Sequence, residues 1–346
     1  MPARNAADTI GPALRSLQEQ TLSEFRCIAI DDGSTDATAE VMRATVRHDP
    51  RFEIVSQEPL GIAETLRRAA LLCAEPLLAR QDADDVSHPE RLARQRDFLL
   101  AHPEIGLVAT GVITQSDRES TAGWKRYERW MDEAHAPREI ANALWVESPF
   151  AHPTVMMRRE AYDAAGGYRS DGFPEDYDLW LRMNRASIRL AKLPDRLYRW
   201  TDRPDRASRT LPEYTTQRFL ECRAHHLRRH LGSRPVVIWG AGRDGKRASK
   251  QLLSEGLALD GFLDIDPRKI GRTVRNRPVW SASEWLRQAP RRASGEDAGA
   301  RTELPPLVED HPIVLAAVGT EGARELIRER LEQLGWIEGE DFLCIA

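Results

Sequence analysis

Short apolar runs and longer amphipathic ones alternate along the first third of the chain. "FRCIAI" (25–30), "FEIVS" (52–56), "PLLAR" (76–80) and "IGLVATGVIT" (105–114) are rich in strand-forming residues and too short for helices. Between them, "DATAEVMRATVRH", "GIAETLRRAALLCA" and "HPERLARQRDFLLAH" carry apolar residues at helical spacing. Strand alternating with helix predicts a parallel sheet covered on both faces, and ligands of such sheets bind beyond the carboxyl ends of the strands. The opening "ARNAADTIGPALRSLQEQ" reads as a loop entering a helix. Its first strand is therefore expected to be missing, with the true start upstream.

From 115 to 173 the alternation gives way to mixed segments with Trp124, Tyr127, Trp130 and Trp145, a substrate-shaping elaboration rather than further strand–helix units. Helices are expected in "PEDYDLWLRMNRA" (174–186) and "LPEYTTQRFLECRAHHLRRHL" (211–231), separated by the polar "RWTDRPDRASR". At Arg234 the alternation restarts: "PVVIWGAGRDGKRASKQLLSEG" is strand, Gly-rich turn and helix, and "LDGFLDIDP" and "PIVLAAVGTEGARELIRERLEQLG" add two more strands. A Pro/Gly/Ser-rich stretch, 288–306, reads as a mobile loop. The boundary falls at 231/232, giving a larger domain, 1–231, and a smaller one, 232–346.

Composition narrows the classes. A chain of 346 residues suits about two domains, and 41% hydrophobic with 30% charged residues is ordinary for a globular protein. A net charge of −4 gives no case for nucleic acid as a partner. Only five of the 50 basic residues are lysine, and the arginines are scattered rather than clustered. Cys27, Cys73, Cys222 and Cys344 are widely spaced, as in buried thiols of a reducing cytosol. Neither a signal peptide nor an apolar run of ~18 residues is present, so the chain is expected to be cytoplasmic, soluble or peripherally attached to a membrane.

Three acidic groups carry the chemistry. In "RQDADDVSHPERL", Asp82, Asp84 and Asp85 follow a strand; carboxylates at i and i+2 in a turn can share Mg²⁺ or Mn²⁺ while leaving positions for phosphate oxygens. A solvated turn, with Ser87 as helix cap, would use the same residues. In "IAIDDGSTDAT", Asp31 and Asp32 end a strand, where a carboxylate could accept the imide N–H of a uracil or thymine base; an ordinary turn with helix-capping Ser34, Thr35 or Asp36 is the alternative. In "FPEDYDLWLR", Glu175 and Asp176 open a helix and could supply a general base toward a hydroxyl, although first-turn acids also simply suit the helix dipole.

Taken in order, "MPARNAADTIGPALRSLQEQT", "IAIDDGSTDAT", "LARQDADDVSHPERLARQ", "SPFAHPTVMMRRE" and "FPEDYDLWLR" resemble the family 2 inverting glycosyltransferases of GT-A fold, over residues 1 to about 210. The resemblance implies a doubly wound α/β domain that takes a nucleotide-sugar, UDP- or dTDP-linked, and passes the sugar to a glycan or lipid-linked acceptor in surface polysaccharide or related glycan assembly. It assigns the nucleotide-sugar to Pro2, Asn5, Asp31, Asp32 and Asp82, the metal to Asp84 and Asp82, the base to Asp176 beside Glu175, and the acceptor side to His152. Asp85 is left to cap the next helix.

In the C-terminal half, Gly240, Gly242 and Gly245 form a GxGxxG after a strand, and Asp264 or Asp266 ends the next strand, as a Rossmann-like dinucleotide site requires. An accessory domain binding a nucleotide, dinucleotide or partner is the expectation. Two other readings share these residues: a catalytically impaired, nucleotide-sugar-responsive binding protein, and an NAD-dependent sugar oxidoreductase centred on the glycine loop.

Overall fold

The computed structural model describes residues 1–116, 122–203, 206–288 and 312–346. Nearly all of the stretch 288–306 that the sequence marks as a loop lies outside them. The chain divides into two compact units: Met1–Ala141 with Ser148–Arg218, and Asn142–Glu147 with Phe219–Ala346. The second unit therefore takes in most of the helix Thr216–Leu231, which lies before position 231/232.

In the first unit, β1 (Pro2–Ala3), β2 (Cys27–Asp32) and β3 (Phe52–Gln57) form a parallel sheet in that order. The first strand is present, as the short β1, not missing: Pro2 and Ala3 pair with Ile30 and Asp31. All six residues of β2 are buried, as befits a central strand covered on both faces. Its period of two sends Cys27 and Ala29 against Ile10, Leu14 and Met42 of the helices Ile10–Gln18 and Thr38–Val46. Ile28 and Ile30 turn the other way, onto Ala69 of the helix Ile62–Leu72. Each such fully buried aliphatic side chain contributes roughly 1.5–3 kcal/mol.

Strands β4 (Leu77–Ala79), β5 (Val86–Ser87), β6 (Ile105–Ser116), β7 (Met156–Arg158) and β8 (Arg189–Asp202) make a mixed sheet in the order β4-β7-β6-β8-β5. Only the β6–β8 pairing is parallel. β8 is the longest strand described, at 14 residues, and it has no counterpart in the sequence reading. Behind the acidic turn, buried Gln95 of the helix Arg91–Ala101 donates to the carbonyls of both Val108 and Thr154, joining helix, sheet and the approach to His152.

The second unit holds β9 (Val236–Trp239), β10 (Leu259–Asp264), β11 (Thr273–Val274), β12 (Arg277–Ser281), β13 (Ile313–Ala316) and β14 (Phe342–Cys344). Its order, β11-β12-β10-β9-β13-β14, is parallel except for the β11–β12 hairpin. Without that hairpin it is the doubly wound Rossmann order 3-2-1-4-5. Arg275 and Asn276 turn the hairpin with φ of 50° and 59°, as a two-residue primed turn demands. No helix among the described residues is long and apolar enough to cross a membrane.

Candidate active site

Two strand ends of the first unit carry acids, and the structure treats them differently. Asp32 is fully committed: Oδ1 accepts from Gln57 Nε2 (2.7 Å) and Leu60 N–H (2.8 Å), and Oδ2 accepts from Gly61 N–H (2.9 Å). Burial opposes its charge, but these donors outweigh it and hold the carboxyl below its usual range. Asp31 is less engaged, accepting Ser34 N–H at 3.2 Å. Asn5, itself at φ 48°, braces the same turn: its N–H donates to Ser34 Oγ and its Oδ1 accepts Thr35 N–H, both at 2.9 Å. Gly33 (φ +67°) lets this turn pass Pro59, whose Cδ would lie 2.6 Å from any Cβ. Pro2 sits half-buried in β1, beside the turn.

At the second acidic edge, carboxylate oxygens of Asp82, Asp84 and Asp85 lie within 4.8 Å of one another. Asp82 pairs with buried Arg80 (Oδ1–Nη2 2.6 Å), and its N–H donates to Tyr198 Oη at 3.1 Å. Asp85 does not cap the following helix: its Oδ1 accepts Thr201 N–H from β8 at 2.7 Å. Its Oδ2 is buried without a partner among the described residues. Ser87 does not cap either; its hydroxyl sits between Gln81 Oε1 and Arg91 Nη1, and the helix starts later, at Arg91. Burial raises the Asp85 carboxyl to about 8, with the charges of Asp82 and Asp84 adding to it. Asp84 is raised for the same reasons. Asp82 goes the other way: burial disfavours its charge, but Arg80, His152 and Arg206 pull it below the ordinary range. Converging carboxylates with an unpartnered oxygen are the donor set a hard divalent cation fits.

The third group stands at the start of the helix Glu175–Arg185, whose Trp180 and Leu181 are fully buried. Glu175 is itself buried, with Oε2 accepting the Tyr214 hydroxyl at 2.5 Å and Oε1 3.3 Å from His152 Nδ1. The other ring nitrogen of His152 shares a 2.8 Å hydrogen bond with Tyr168 Oη. Although burial disfavours its charge, His152 and Tyr214 keep Glu175 below its usual range. Its neighbour Asp176, half-buried, is pushed up to about 6 by burial and by the charge of Glu175, against the pull of His152. Asp178, one turn in, is structural: buried and paired with Arg182 at 2.7 Å.

These groups share one electrostatic neighbourhood. His152 acts on Asp82 as well as on Glu175 and Asp176, and Tyr168 feels Arg80, Glu175 and Asp176 together. Sequence reasoning missed Arg80, Tyr168, Tyr198, Arg206 and Tyr214. Only Arg80, two residues before Asp82, carried a signal near a recognised motif.

The glycine loop of the second unit is tightly self-contained. A Cβ at Gly245 would stand 1.7 Å from the Gly240 carbonyl oxygen, and one at Gly240 (φ +118°) 2.8 Å from that of Ala317. Gly242 is open, with only Lys269 Nζ within 4 Å of an added Cβ, at 3.9 Å. Asp264 accepts Ala241 N–H (2.9 Å), Asp266 N–H (2.9 Å) and Lys269 Nζ (3.0 Å).

A short parallel sheet beside a mixed one, with acids at the strand ends and a raised Asp at a helix start, defines an α/β domain with an acid-rich candidate site. The glycosyl transferase family 2 model matches residues 1–166. EpsE of Bacillus subtilis is 30% identical over 200 residues, covering 56% of this chain and 69% of that protein. The amylovoran biosynthesis glycosyltransferase AmsE of Erwinia amylovora is 29% identical over 189 residues, 54% of this chain and 68% of its own. WbnJ of Escherichia coli, an O-antigen biosynthesis glycosyltransferase, is 28% identical over 235 residues, 65% and 85% of the two chains. The chain belongs to glycosyl transferase family 2. The crystal structure of S. aureus TarS 1–349 with UDP-GlcNAc shares its fold at a TM-score of 0.53 and 17% identity, over 73% of this chain and 69% of that one.

Proposed function

We propose that this glycosyltransferase is metal-dependent and inverting, and moves a sugar from a UDP- or dTDP-linked donor to an acceptor hydroxyl in surface polysaccharide assembly. The observation that carries the reading is the contrast between the Asp82–Asp84–Asp85 cluster, with a buried oxygen lacking a partner, and Asp176, raised to about 6 but still ionised at neutral pH. Asp84 and Asp82, with Asp85 beside them, would hold Mg²⁺ or Mn²⁺, and Asp82 would also serve the ribose. When bound there, a divalent cation supplies charge neutralisation to the departing diphosphate.

The chain's own residues do the rest. Asp31, less committed than Asp32, is the carboxylate suited to the base N–H, while Asn5 and Pro2 brace the turn beside it. Asp176 takes the acceptor hydroxyl's proton as that oxygen attacks the anomeric carbon from the face opposite the diphosphate, and the configuration inverts. A pKa near 6 suits that task, being high enough for proton affinity and low enough for the base to be ionised. His152 lies on the same side, ordering Glu175. The names of AmsE and WbnJ, in amylovoran and O-antigen biosynthesis, support a glycan acceptor.

For the second unit we infer a nucleotide-binding accessory role. The Rossmann strand order and the open approach to Gly242, overlooked by Lys269, favour it. Saturable quenching of tryptophan fluorescence by a nucleotide or by NAD(H) is the expected result, and an unchanged signal overturns this role. The transferase reading is tested by hydrolysis of a panel of UDP- and dTDP-sugars with Mn²⁺, in wild type and Asp84→Ala. Equal rates would remove the metal assignment.

A further inference from the structure

The carboxylates of Glu175 and Asp176 are consecutive, yet only one of them is available for chemistry. Glu175 Oε2 accepts the Tyr214 hydroxyl at 2.5 Å, while its Oε1 makes no hydrogen bond among the described residues and lies 3.3 Å from His152 Nδ1, whose other ring nitrogen is 2.8 Å from Tyr168 Oη. The middle contact is an ion-pair distance rather than an aligned hydrogen bond, so the short Tyr214 bond is what fixes the Glu175 rotamer. Tyr214 comes from the short 3₁₀ turn Pro212–Tyr214, far along the chain from the helix that carries Glu175.

We propose that Tyr214 is a positioning residue for transfer: by donating its hydroxyl to Glu175 it holds that carboxylate on His152 and leaves Asp176 alone free to take the acceptor's proton. The proposal rests on the reading of Asp176 as the base. The groups facing this pair are His152 and Tyr214 around Glu175, and His152 and Glu175 around Asp176, with Tyr168 and Arg80 beyond them. Burial and the two acidic charges raise the Tyr214 phenol, so it is the proton donor of the 2.5 Å bond at every pH at which a carboxylate base works. Without that bond Glu175 would be free to leave His152 and compete for the proton Asp176 must receive.

Tyr214→Phe, Glu175→Gln, the double variant and Asp176→Asn, each made in the full chain, test this through release of UDP from the UDP-sugars that wild type hydrolyses with Mn²⁺. Tyr214→Phe is expected to lower kcat about tenfold, as loss of a hydrogen bond to a charged group does, with donor KM within about twofold. In the Glu175→Gln background the same substitution should cost nothing further, because Tyr214 acts through Glu175. Melting temperatures and a ¹³C-carboxyl titration of Glu175, which should move upward in Tyr214→Phe, are read on the same proteins without donor. Transfer surviving in Asp176→Asn sinks the assignment of the base. With that variant inactive, an unchanged kcat in Tyr214→Phe, or equal losses in both backgrounds, sinks the positioning role alone.

Discussion

The acidic edge of the first unit and the glycine loop of the second are built from the same elements, a strand, a turn and an acid at the next strand end, and they spend their acids in opposite ways. Asp264 gives its oxygens to two backbone N–H groups and Lys269, and is held below its usual range: burial opposes its charge but those donors outweigh it. Asp82 instead raises the cost of ionising Asp84, both raise that of Asp85, and Asp85 keeps a buried oxygen without a partner among the described residues. A carboxylate that satisfies its own loop is part of the architecture. Carboxylates that repel one another wait for something else to satisfy them.

The sharpest way to break that comparison is at the proposed base, Asp176. Asp176→Asn should lower transfer by about 10²–10⁴-fold and leave donor KM nearly unchanged, measured as steady-state kinetics with the best donor. Next comes the architectural loop, where Gly245→Ala should destabilise the second unit by about 3 kcal/mol, seen in chemical denaturation, because its Cβ would meet the Gly240 carbonyl oxygen at 1.7 Å. Mn²⁺ at about 100 times its Kd should then stabilise wild type by about 2.7 kcal/mol in thermal melts. Asp84→Ala should lose that response.

The pH dependence has a definite sign. Asp84 and Asp85 have folded pKa values raised by burial and by neighbouring charge, so their contribution to stability is full below the ordinary carboxylate range and is lost as pH rises, in the case of Asp85 through about 8. Asp82, which is lowered, adds stability that is lost only in stronger acid. Melts without divalent cation should therefore decline from mildly acid toward pH 8, and Mn²⁺ should flatten the decline. The smallest effect belongs to Gly242→Ala, within about 1 kcal/mol by denaturation, since the added methyl meets open space at a helix start.

Where the sequence was legible, one physical signal dominated its segment. β2 and β6 begin as apolar runs and β3 keeps Phe52, Ile54 and Val55 in a short stretch between helical patterns, and their predicted positions agree with Cys27–Asp32, Phe52–Gln57 and Ile105–Ser116 to within about two residues. β8 was illegible because "RLAKLPDRLYRWTD" mixes Arg189, Lys192, Asp195, Arg196 and Arg199 with its apolar residues and includes Pro194. The same strand supplies Tyr198 and Thr201, two groups that hold the acidic turn, so missing it hid why Asp85 cannot cap a helix. Tyr214 was hidden for another reason: nothing local links position 214 to Glu175, and only the fold brings them to 2.5 Å.

Asp32 shows what such commitment means for motion. Leu60 leaves 54% of its surface exposed and Gly61 sits in the open, yet both backbone N–H groups end on one buried carboxylate at the end of a central strand. Deuterium would reach these two amides only when the strand end itself lets go. That segment is a fixed sill along the edge where the proposed donor would sit, so on that proposal adaptation to different donors has to come from the residues that face it.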